Sequence, residues 1–236
     1  IKPGKTIVIG GGNAALDSAR TALRLGGRVT IAYRRTQEQM PAEGEEIQQA
    51  KEEGVEFQFL AIPKELIFQD EKITGMRFQR AELGEPDESG RRRPVPIPDD
   101  IFTIDADNII LALGSKPDLP GIGLELTKWG TLNIDEDKMT SHEGIFAAGD
   151  VVTGASSIVD AIGCGHGAAN GVIEYLTGQD WGFGAREQEP MLIVEAEGPE
   201  PCERISPHCL EPGTRQNTFD EVDMGMEEQD AIAEAN

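Results

Sequence analysis

The first forty residues follow a hydrophobic pattern that changes from strand to helix and back to strand. Residues 6–9 form a short apolar, β-branched run, and three glycines follow it. Apolar positions then recur at helical spacing over residues 14–25, two glycines end this segment, and residues 29–33 form a second apolar run. This order predicts a βαβ unit with parallel strands and a right-handed crossover.

The next segment has the pattern of a helix followed by short strands. Residues 42–53 have the Glu, Gln, Ala and Lys composition of a solvent-facing helix. Residues 55–60, 65–69 and 72–82 alternate like the strands of an antiparallel meander, with residues 84–98 as a hairpin loop.

The second half of the chain is less regular. Residues 108–113 form a continuous apolar run that predicts a buried parallel strand, and Gly114 ends it. Residues 144–148 predict a last strand, and a helix rich in small residues is predicted over 157–176. Within this helix we interpret Gly163, Gly165 and Gly167 as positions of close packing. A short helix is predicted over 227–235.

Charge narrows the set of partners. The 236-residue chain has a net charge of −22, and about half of this excess lies after Ala185. We therefore expect no nucleic acid and no anionic membrane as a partner, and the acidic end is either a solvated tail or a docking surface for a redox partner. No apolar run approaches the roughly 20 residues of a membrane helix, and no secretory signal is evident, so we expect a cytoplasmic protein.

The cysteines argue against a dithiol redox centre. Cys164, Cys202 and Cys209 lack C-x-x-C spacing. Cys202 and Cys209 are most simply free thiols, although they could join a metal site that is completed elsewhere. We assign no metal ligand.

The strongest candidate site lies between the first strand and the first helix. It consists of Gly10, Gly11, Gly12, Asn13, Ala14 and Ala15. This is a G-x-G-x-x-A fingerprint in the strand–turn–helix context that a dinucleotide pyrophosphate requires. Gly10 allows the tight turn, Gly12 lets the backbone approach the phosphates, and Ala15 keeps the helix close to the sheet.

The end of the second strand predicts which nicotinamide cofactor binds. NAD-specific sites usually place an acid there, but this strand ends in Arg34 and Arg35, and Glu38 is the first acid after it. A guanidinium matches phosphate geometry, which favours the 2′-phosphate of NADPH. Alternatively, one arginine stacks on the adenine and the other pairs with Glu38.

A second candidate site follows the predicted strand 144–148. Gly149 and Asp150 place one carboxylate at the carboxyl end of this strand, where an acid can accept hydrogen bonds from the sugar-like hydroxyls of a flavin. A helix that begins near Ser157 could direct its amino terminus at the isoalloxazine ring. Taken alone, Gly-Asp is an ordinary turn.

Four stretches together resemble the two-dinucleotide flavoprotein reductases. They are GGGNAALDSART, AYRR, NIILALGSKPD and GIFAAGDVVTGASSIVDAI, and the similarity is greatest to the small subunits of NADPH-dependent glutamate synthase. The resemblance covers about residues 5–178. It implies that hydride passes from NADPH to FAD and that electrons then leave through iron–sulphur clusters towards a partner subunit. Positioning dominates this chemistry, so no side chain is assigned as catalytic.

The resemblance also assigns cofactor-binding residues. Those expected on NADPH are Gly10, Gly12, Asn13, Arg34 and Arg35, and Gly11, Ala14 and Gly114 are further cofactor-binding candidates. Those expected on FAD are Gly149, Asp150, Ser157 and Ile158.

We therefore predict an α/β fold with three parts. A Rossmann-like NAD(P)-binding domain with a parallel sheet and an antiparallel meander occupies 1–112, the C-terminal part of an FAD-binding domain occupies 113–180, and an acidic extended tail occupies 181–236. A second glycine-rich loop after a strand is absent from the sequence, so we expect the first part of the FAD domain to lie outside this chain. Apolar surface exposed in this way would favour a partner chain or a homo-oligomer.

Two other functions remain open at this point. The first is an NAD(P)H–ferredoxin type oxidoreductase with a different electron acceptor. The second is a non-catalytic module that senses NADPH, which the FAD-type Gly149–Asp150 segment disfavours.

Overall fold

The computed structural model describes residues 3–86, 90–119, 121–179, 205 and 207–235. The chain divides into two compact units, one from residues 1–113 and 199–236 and the other from residues 114–198. The helices are α1 (Asn13–Arg24), α2 (Gly44–Glu52), α3 (Asp150–Thr153), α4 (Ile158–Thr177), α5 (Pro212–Arg215) and α6 (Glu228–Ala235), with a 3-10 turn at Gln37–Gln39. The strands are β1 (Lys5–Ile9), β2 (Arg28–Tyr33), β3 (Glu56–Phe59), β4 (Ala61–Gln69), β5 (Lys72–Pro86), β6 (Arg92–Asp105), β7 (Asn108–Leu111), β8 (His208–Cys209) and β9 (Asp223–Gly225).

A four-stranded parallel sheet forms the centre of the first unit. Its order is β3-β2-β1-β7, and each pairing is parallel. The predicted βαβ unit is therefore confirmed. The meander prediction was wrong for residues 55–60, because β3 pairs with β2 as an edge strand of this sheet. An edge strand is only half-buried, so it shows the same alternation of polar and apolar residues as a meander strand.

An antiparallel sheet of β4, β5 and β6 covers one side of the parallel sheet. The hairpin loop predicted over 84–98 is mostly strand, because β5 continues to Pro86 and β6 begins at Arg92. The prolines of β6 are compatible with pairing because β6 is an edge strand, and shifts in register absorb the irregular spacing.

The hydrophobic core lies on both faces of the parallel sheet. On one face Val8 packs with Leu16 of α1 and Ile47 of α2, and on the other Ile7 and Ile9 pack against the antiparallel sheet. Successive side chains of a strand point to opposite faces, so β1 contributes to both layers. The first unit thus has three layers: helices, parallel sheet and antiparallel sheet.

The described part of the acidic C-terminal segment folds onto the first unit. The helix predicted over 227–235 is confirmed as α6, and β8 pairs with β9. This arrangement differs from the expected extended tail. The segment shows little periodicity because α5, β8 and β9 have two to four residues each.

A buried charge cluster attaches this segment to α1 and α2. The carboxylate of Glu53 is fully buried and accepts hydrogen bonds from Nε and Nη2 of Arg20, at 3.0 and 2.7 Å. Arg215, which is also buried, donates to Glu52 at 2.6 Å and places its Nε 3.8 Å from Glu53. Arg24 donates to the backbone carbonyl of Arg215 at 2.9 Å. Opposite charges thus join residues that are far apart in the sequence.

The second unit contains α3 and α4. The helix predicted over 157–176 is confirmed as α4, and its Ser157 side chain and Asp160 carboxylate form a capping box. The strand predicted over 144–148 is not formed; Phe146 makes one isolated bridge to Met139. A strand needs a continuous partner, and the described residues of this unit supply a single pairing to the stretch 144–148.

The close contact of α4 is made by a glycine that the sequence did not indicate. A Cβ atom on Gly171 would lie 1.9 Å from the backbone oxygen of Asp137. At Gly163 and Gly165 nothing lies within 4 Å of such an atom, and at Gly167 it would meet the Lys138 side chain at 3.1 Å. The close backbone contact of α4 therefore lies at Gly171, one turn after the last of the three predicted glycines.

Candidate nucleotide-binding site

The tight turn after β1 requires glycine at its first position. Gly10 has φ +151°, and a Cβ atom there would lie 2.3 Å from the carbonyl oxygen of Ala112. Its N–H donates to the carbonyl of Ala32 in β2 at 3.2 Å. Both the backbone conformation and the close approach of Ala112, just after β7, exclude a side chain.

The ring of Tyr33 packs against the turn after β1. A Cβ atom on Gly11 would lie 2.5 Å from the Tyr33 ring, and the Tyr33 hydroxyl donates to the carbonyl of Gln39 at 2.8 Å. The last residue of β2 therefore fixes the path of the loop after β1. No local pattern in the sequence indicates this role of Tyr33.

The space around Gly12 and the start of α1 is more open. A Cβ atom on Gly12 would meet the Pro41 ring at 3.9 Å, which is an ordinary contact, so protein packing alone does not require glycine here. Within the described residues, no side chain caps the amino terminus of α1. The unpaired N–H groups and the helix dipole of such a terminus attract anions. This arrangement fits the pyrophosphate of a dinucleotide.

The remaining residues of the motif have distinct positions. Ala15 is fully buried and packs α1 against the sheet, whereas Ala14 is exposed. The Asn13 side-chain oxygen accepts a hydrogen bond from the backbone N–H of Glu43 at 3.0 Å. Asn13 therefore joins the starts of α1 and α2.

The two arginines after β2 differ in environment. Arg34 is exposed, whereas Arg35 is only 4% exposed and its Nε donates to the backbone carbonyl of Arg92 at 2.7 Å. Because Ile9 pairs with Ala32, β1 and β2 end side by side, and the structure brings the arginines and the glycine turn to the same edge of the sheet. A hydrogen bond from Thr36 holds the pKa of Glu38 below its ordinary value.

The residues expected on FAD lie in the second unit. Gly149 has φ +74° and precedes α3, and the exposed Asp150 is the first residue of that helix. Gly114, a cofactor-binding candidate that was not assigned to FAD, also lies in this unit, has φ +87° and is exposed. Ile158 is 81% exposed at the start of α4. These glycines leave room for a ligand, since a Cβ atom at either one would contact no atom within 4 Å.

The amino terminus of α4 carries its own negative charge. The Asp160 carboxylate accepts hydrogen bonds from the hydroxyls of Ser156 at 2.6 Å and Ser157 at 2.7 Å. These bonds, the one from Ser156 first, hold the pKa of Asp160 below its ordinary value. The hydroxyl of Ser157 is therefore committed to the cap of the helix.

Metal and thiol chemistry have little support in the described part of the chain. It holds no group of three or more His, Cys, Asp or Glu side chains that could bind a metal ion. Cys164 and Cys209 are free thiols, and Cys202 lies outside the described residues. Burial, and then a hydrogen bond with Asp223, raises the pKa of Cys209. Among the described helices, none is long and apolar enough to cross a membrane.

The nucleotide turn, the parallel sheet and the layered first unit define a dinucleotide-binding oxidoreductase fold. The profile of the pyridine nucleotide-disulphide oxidoreductases matches residues 1–169, and the chain belongs to this family. The predicted resemblance to FAD- and NAD(P)-binding reductases is thereby confirmed.

Individual relatives extend this finding. The NADP(+)-dependent formate dehydrogenase subunit beta of Moorella thermoacetica is 38% identical over 98% of this chain and 35% of its own length. The small chain of NADPH glutamate synthase from Azospirillum brasilense is 46% identical over 72% of this chain and 36% of its own length. The thioredoxin reductase structure from Lactococcus lactis matches with a TM-score of 0.58 and 26% identity, over 76% of this chain and 55% of that one.

The two alignments with curated relatives differ in how much of this chain they include. The chain spans about a third of the length of the two curated relatives. The alignment with the formate dehydrogenase subunit includes most of the acidic C-terminal segment, because it leaves only 2% of this chain unmatched. The glutamate synthase alignment leaves more than a quarter of the chain unmatched.

Proposed function

We propose that this chain is the NADPH-binding and partial FAD-binding portion of a flavoprotein oxidoreductase that delivers electrons to a partner subunit or an iron–sulphur domain. The observation that carries the proposal is the sheet edge where the Gly10–Gly12 turn, the open start of α1 and the exposed Arg34 lie together. A turn of this form binds a pyrophosphate, and an exposed arginine after β2 suits a 2′-phosphate.

The chain's own residues hold and orient the reactants. The backbone around Gly12 and the amino terminus of α1 bind the pyrophosphate, and Arg34 binds the 2′-phosphate. In the second unit Asp150 accepts hydrogen bonds from the hydroxyls of FAD. Bound FAD supplies the centre that accepts the hydride, and this transfer needs positioning rather than a side-chain acid or base.

The identity of the electron acceptor rests on the relatives. The two curated relatives named above are subunits of a formate dehydrogenase and of a glutamate synthase, which supports a role as one component of a larger enzyme. The formate dehydrogenase subunit also aligns with most of the acidic segment. This favours, as the second candidate function, a reductase whose electron acceptor is not glutamate synthase. We place the protein in the cytoplasm, consistent with its free thiols and its charge.

The substitution Arg34→Glu tests the assignment of NADPH. We expect the variant to bind NADPH about 10- to 100-fold more weakly, because a charge-assisted hydrogen bond is worth roughly 1.5–3 kcal/mol, while NADH binding changes little. Titrations of the full chain with both nucleotides measure the two affinities.

The matched control is Arg77→Glu, which makes the same charge change at an exposed ion pair with Glu65 in the antiparallel sheet. It should leave both affinities unchanged. Equal weakening of NADPH and NADH by Arg34→Glu would show that Arg34 does not recognise the 2′-phosphate.

A further inference from the structure

A short segment between β2 and α2 lies against the glycine turn after β1. We call this segment, residues 39–43, the brace. The N–H of Ala42 donates to the carbonyl of Gly11 at 3.2 Å, and a Cβ atom on Gly12 would lie 3.9 Å from the Pro41 ring. The brace therefore contacts the same residues that form the proposed pyrophosphate site.

The hydrogen bond from Ala42 sets the orientation of the peptide between Gly11 and Gly12. In a planar trans peptide the C=O and N–H bonds point in opposite directions. Because the carbonyl of Gly11 points at the brace, the N–H of Gly12 points away from it. Within the described residues, this N–H donates to no acceptor. It is therefore a fixed and unpaired donor, which suits a phosphate oxygen.

Two side chains hold the brace, one at each end. At its start the hydroxyl of Tyr33 donates to the carbonyl of Gln39 at 2.8 Å. At its end the Oδ1 of Asn13 accepts from the N–H of Glu43 at 3.0 Å. Between them the buried side chain of Met40 belongs to the core on the helix side of the parallel sheet. The brace is thus attached at both ends and in the middle before a nucleotide binds.

We propose that Tyr33 and Asn13 are positioning residues for the pyrophosphate of the nucleotide. They hold the brace, and the brace fixes the Gly12 N–H, which avoids the entropy cost of ordering the turn on binding. Asn13 acts through the brace, whereas the sequence resemblance placed it on the cofactor itself. The inference rests on the proposed function, because it assumes that a dinucleotide binds at this turn.

This role predicts a different pattern of affinities from that of Arg34. NADPH and NADH both contain the pyrophosphate, and they differ in the 2′-phosphate. Loosening the brace should therefore weaken both nucleotides by the same factor. The preference between them should depend on Arg34 and stay unchanged.

The first test compares Tyr33→Phe with Tyr175→Phe in the full chain. Tyr33→Phe removes the hydroxyl that holds the brace and keeps the ring that packs against the turn. The control removes a hydroxyl that donates to Glu143 at 3.2 Å in the second unit. In calorimetric titrations we expect Tyr33→Phe to weaken NADPH and NADH equally, by about 2- to 10-fold, the usual contribution of one hydrogen bond. Tyr175→Phe should leave both dissociation constants unchanged.

Amide hydrogen exchange separates positioning from a general loss of stability. In Tyr33→Phe the amides of Ala42 and Glu43 should exchange faster, while the amides of β1 keep their protection. In the wild-type chain NADPH should slow exchange at Gly12, because its N–H then has an acceptor. A merely structural role of Tyr33 would instead accelerate exchange in β1 and leave both affinities unchanged while the chain is folded.

A double-mutant cycle tests whether the two side chains act through one segment. Asn13→Ala removes the acceptor of the Glu43 N–H and should also weaken both nucleotides equally. Because both residues hold the brace, the loss in the double variant with Tyr33→Phe should be smaller than the product of the two single losses. If Asn13 bound the pyrophosphate independently, the two losses would multiply.

Several results would overturn the inference. They are unchanged affinities in Tyr33→Phe, a changed ratio of the NADH and NADPH dissociation constants in that variant, equal weakening by Tyr175→Phe, and multiplying losses in the double variant. A wild-type chain that binds neither nucleotide is a different result, because it contradicts the proposed function as well.

Discussion

The two long helices of this chain show how differently its two units are stabilised. Over 12 residues α1 buries Ala15, Leu16, Ala19, Arg20 and Ala22 between the parallel sheet and α2, whereas Gly171 is the buried residue among the 20 of α4. Apolar side chains at the start of α4 are exposed, and Ile158 is the most exposed of them. We conclude that α1 depends on packing and a buried charge cluster, and that α4 depends on its cap and one close backbone contact.

The largest expected effect is in the charge cluster of the first unit. Replacing Glu53 with alanine leaves Arg20, Arg24 and Arg215 without the carboxylate between them. We expect a loss of about 3–5 kcal/mol in the free energy of unfolding, because three buried or half-buried arginines lose the buried carboxylate that they share, even though Arg20 keeps Glu46 and Arg215 keeps Glu52. Urea unfolding, with hydrogen exchange to locate the affected amides, measures the loss.

The control for the charge cluster is Glu65→Ala. It breaks the exposed ion pair with Arg77, which should contribute about 0–1 kcal/mol. If Glu53→Ala and Glu65→Ala lowered the free energy of unfolding equally, burial would not be the reason why the charge cluster stabilises the first unit.

Two glycines of α4 give opposite expectations in the second unit. Gly171→Ala should cost about 1–3 kcal/mol, since the new methyl would overlap the Asp137 carbonyl. Gly163→Ala should stabilise the helix by about 0.5–1 kcal/mol, because nothing lies near the new methyl and alanine favours helix. Exchange protection of the α4 amides measures both changes. Stabilisation by both substitutions would show that α4 does not rest on the turn at Asp137.

A smaller effect is expected at the cap of α4. Ser157→Ala removes the hydroxyl that accepts from the backbone N–H of Asp160, which should cost about 1 kcal/mol of helix stability. Amide exchange in the first turn of α4 measures this cost. Exchange in α1, which lies in the other unit, is the internal control and should not change.

The same cap should respond to pH. Because the folded-state pKa of Asp160 is depressed, its contribution is complete above the ordinary pKa of an aspartate and is lost as the pH falls through the folded value. Exchange in the first turn of α4 should therefore accelerate in acid. This dependence should vanish in Asp160→Asn, and its persistence there would point to another titrating group.

The parts of the fold that follow from local patterns were predicted well. The turn from Gly10 to Gly12 and the helix after it are encoded by neighbouring residues, since strand and helix periods are visible within a short window. The parts that failed depend on context. The alternation in β3 did not reveal that its partner is β2, and the prolines of β6 suggested a loop because edge position cannot be inferred from sequence.

The candidate site could be predicted only where it follows from a local motif or from the parallel pairing of neighbouring strands. Arg34 and the glycine turn lie on adjacent strands, so their proximity follows from parallel pairing. The contacts of Arg35 with Arg92, and of Arg215 with Glu52, join distant segments, and no local pattern records them. Only the folded chain shows that the hairpin and the acidic segment belong to the first unit.

The most direct test of the central claim is a calorimetric titration of the full chain with NADPH and with NADH under identical conditions. We predict that NADPH binds about 10- to 100-fold more tightly, because the arginine at the end of β2 adds a charge-assisted contact to the 2′-phosphate. Equal affinity for the two nucleotides, or binding of neither, would contradict the claim that this sheet edge is an NADPH site.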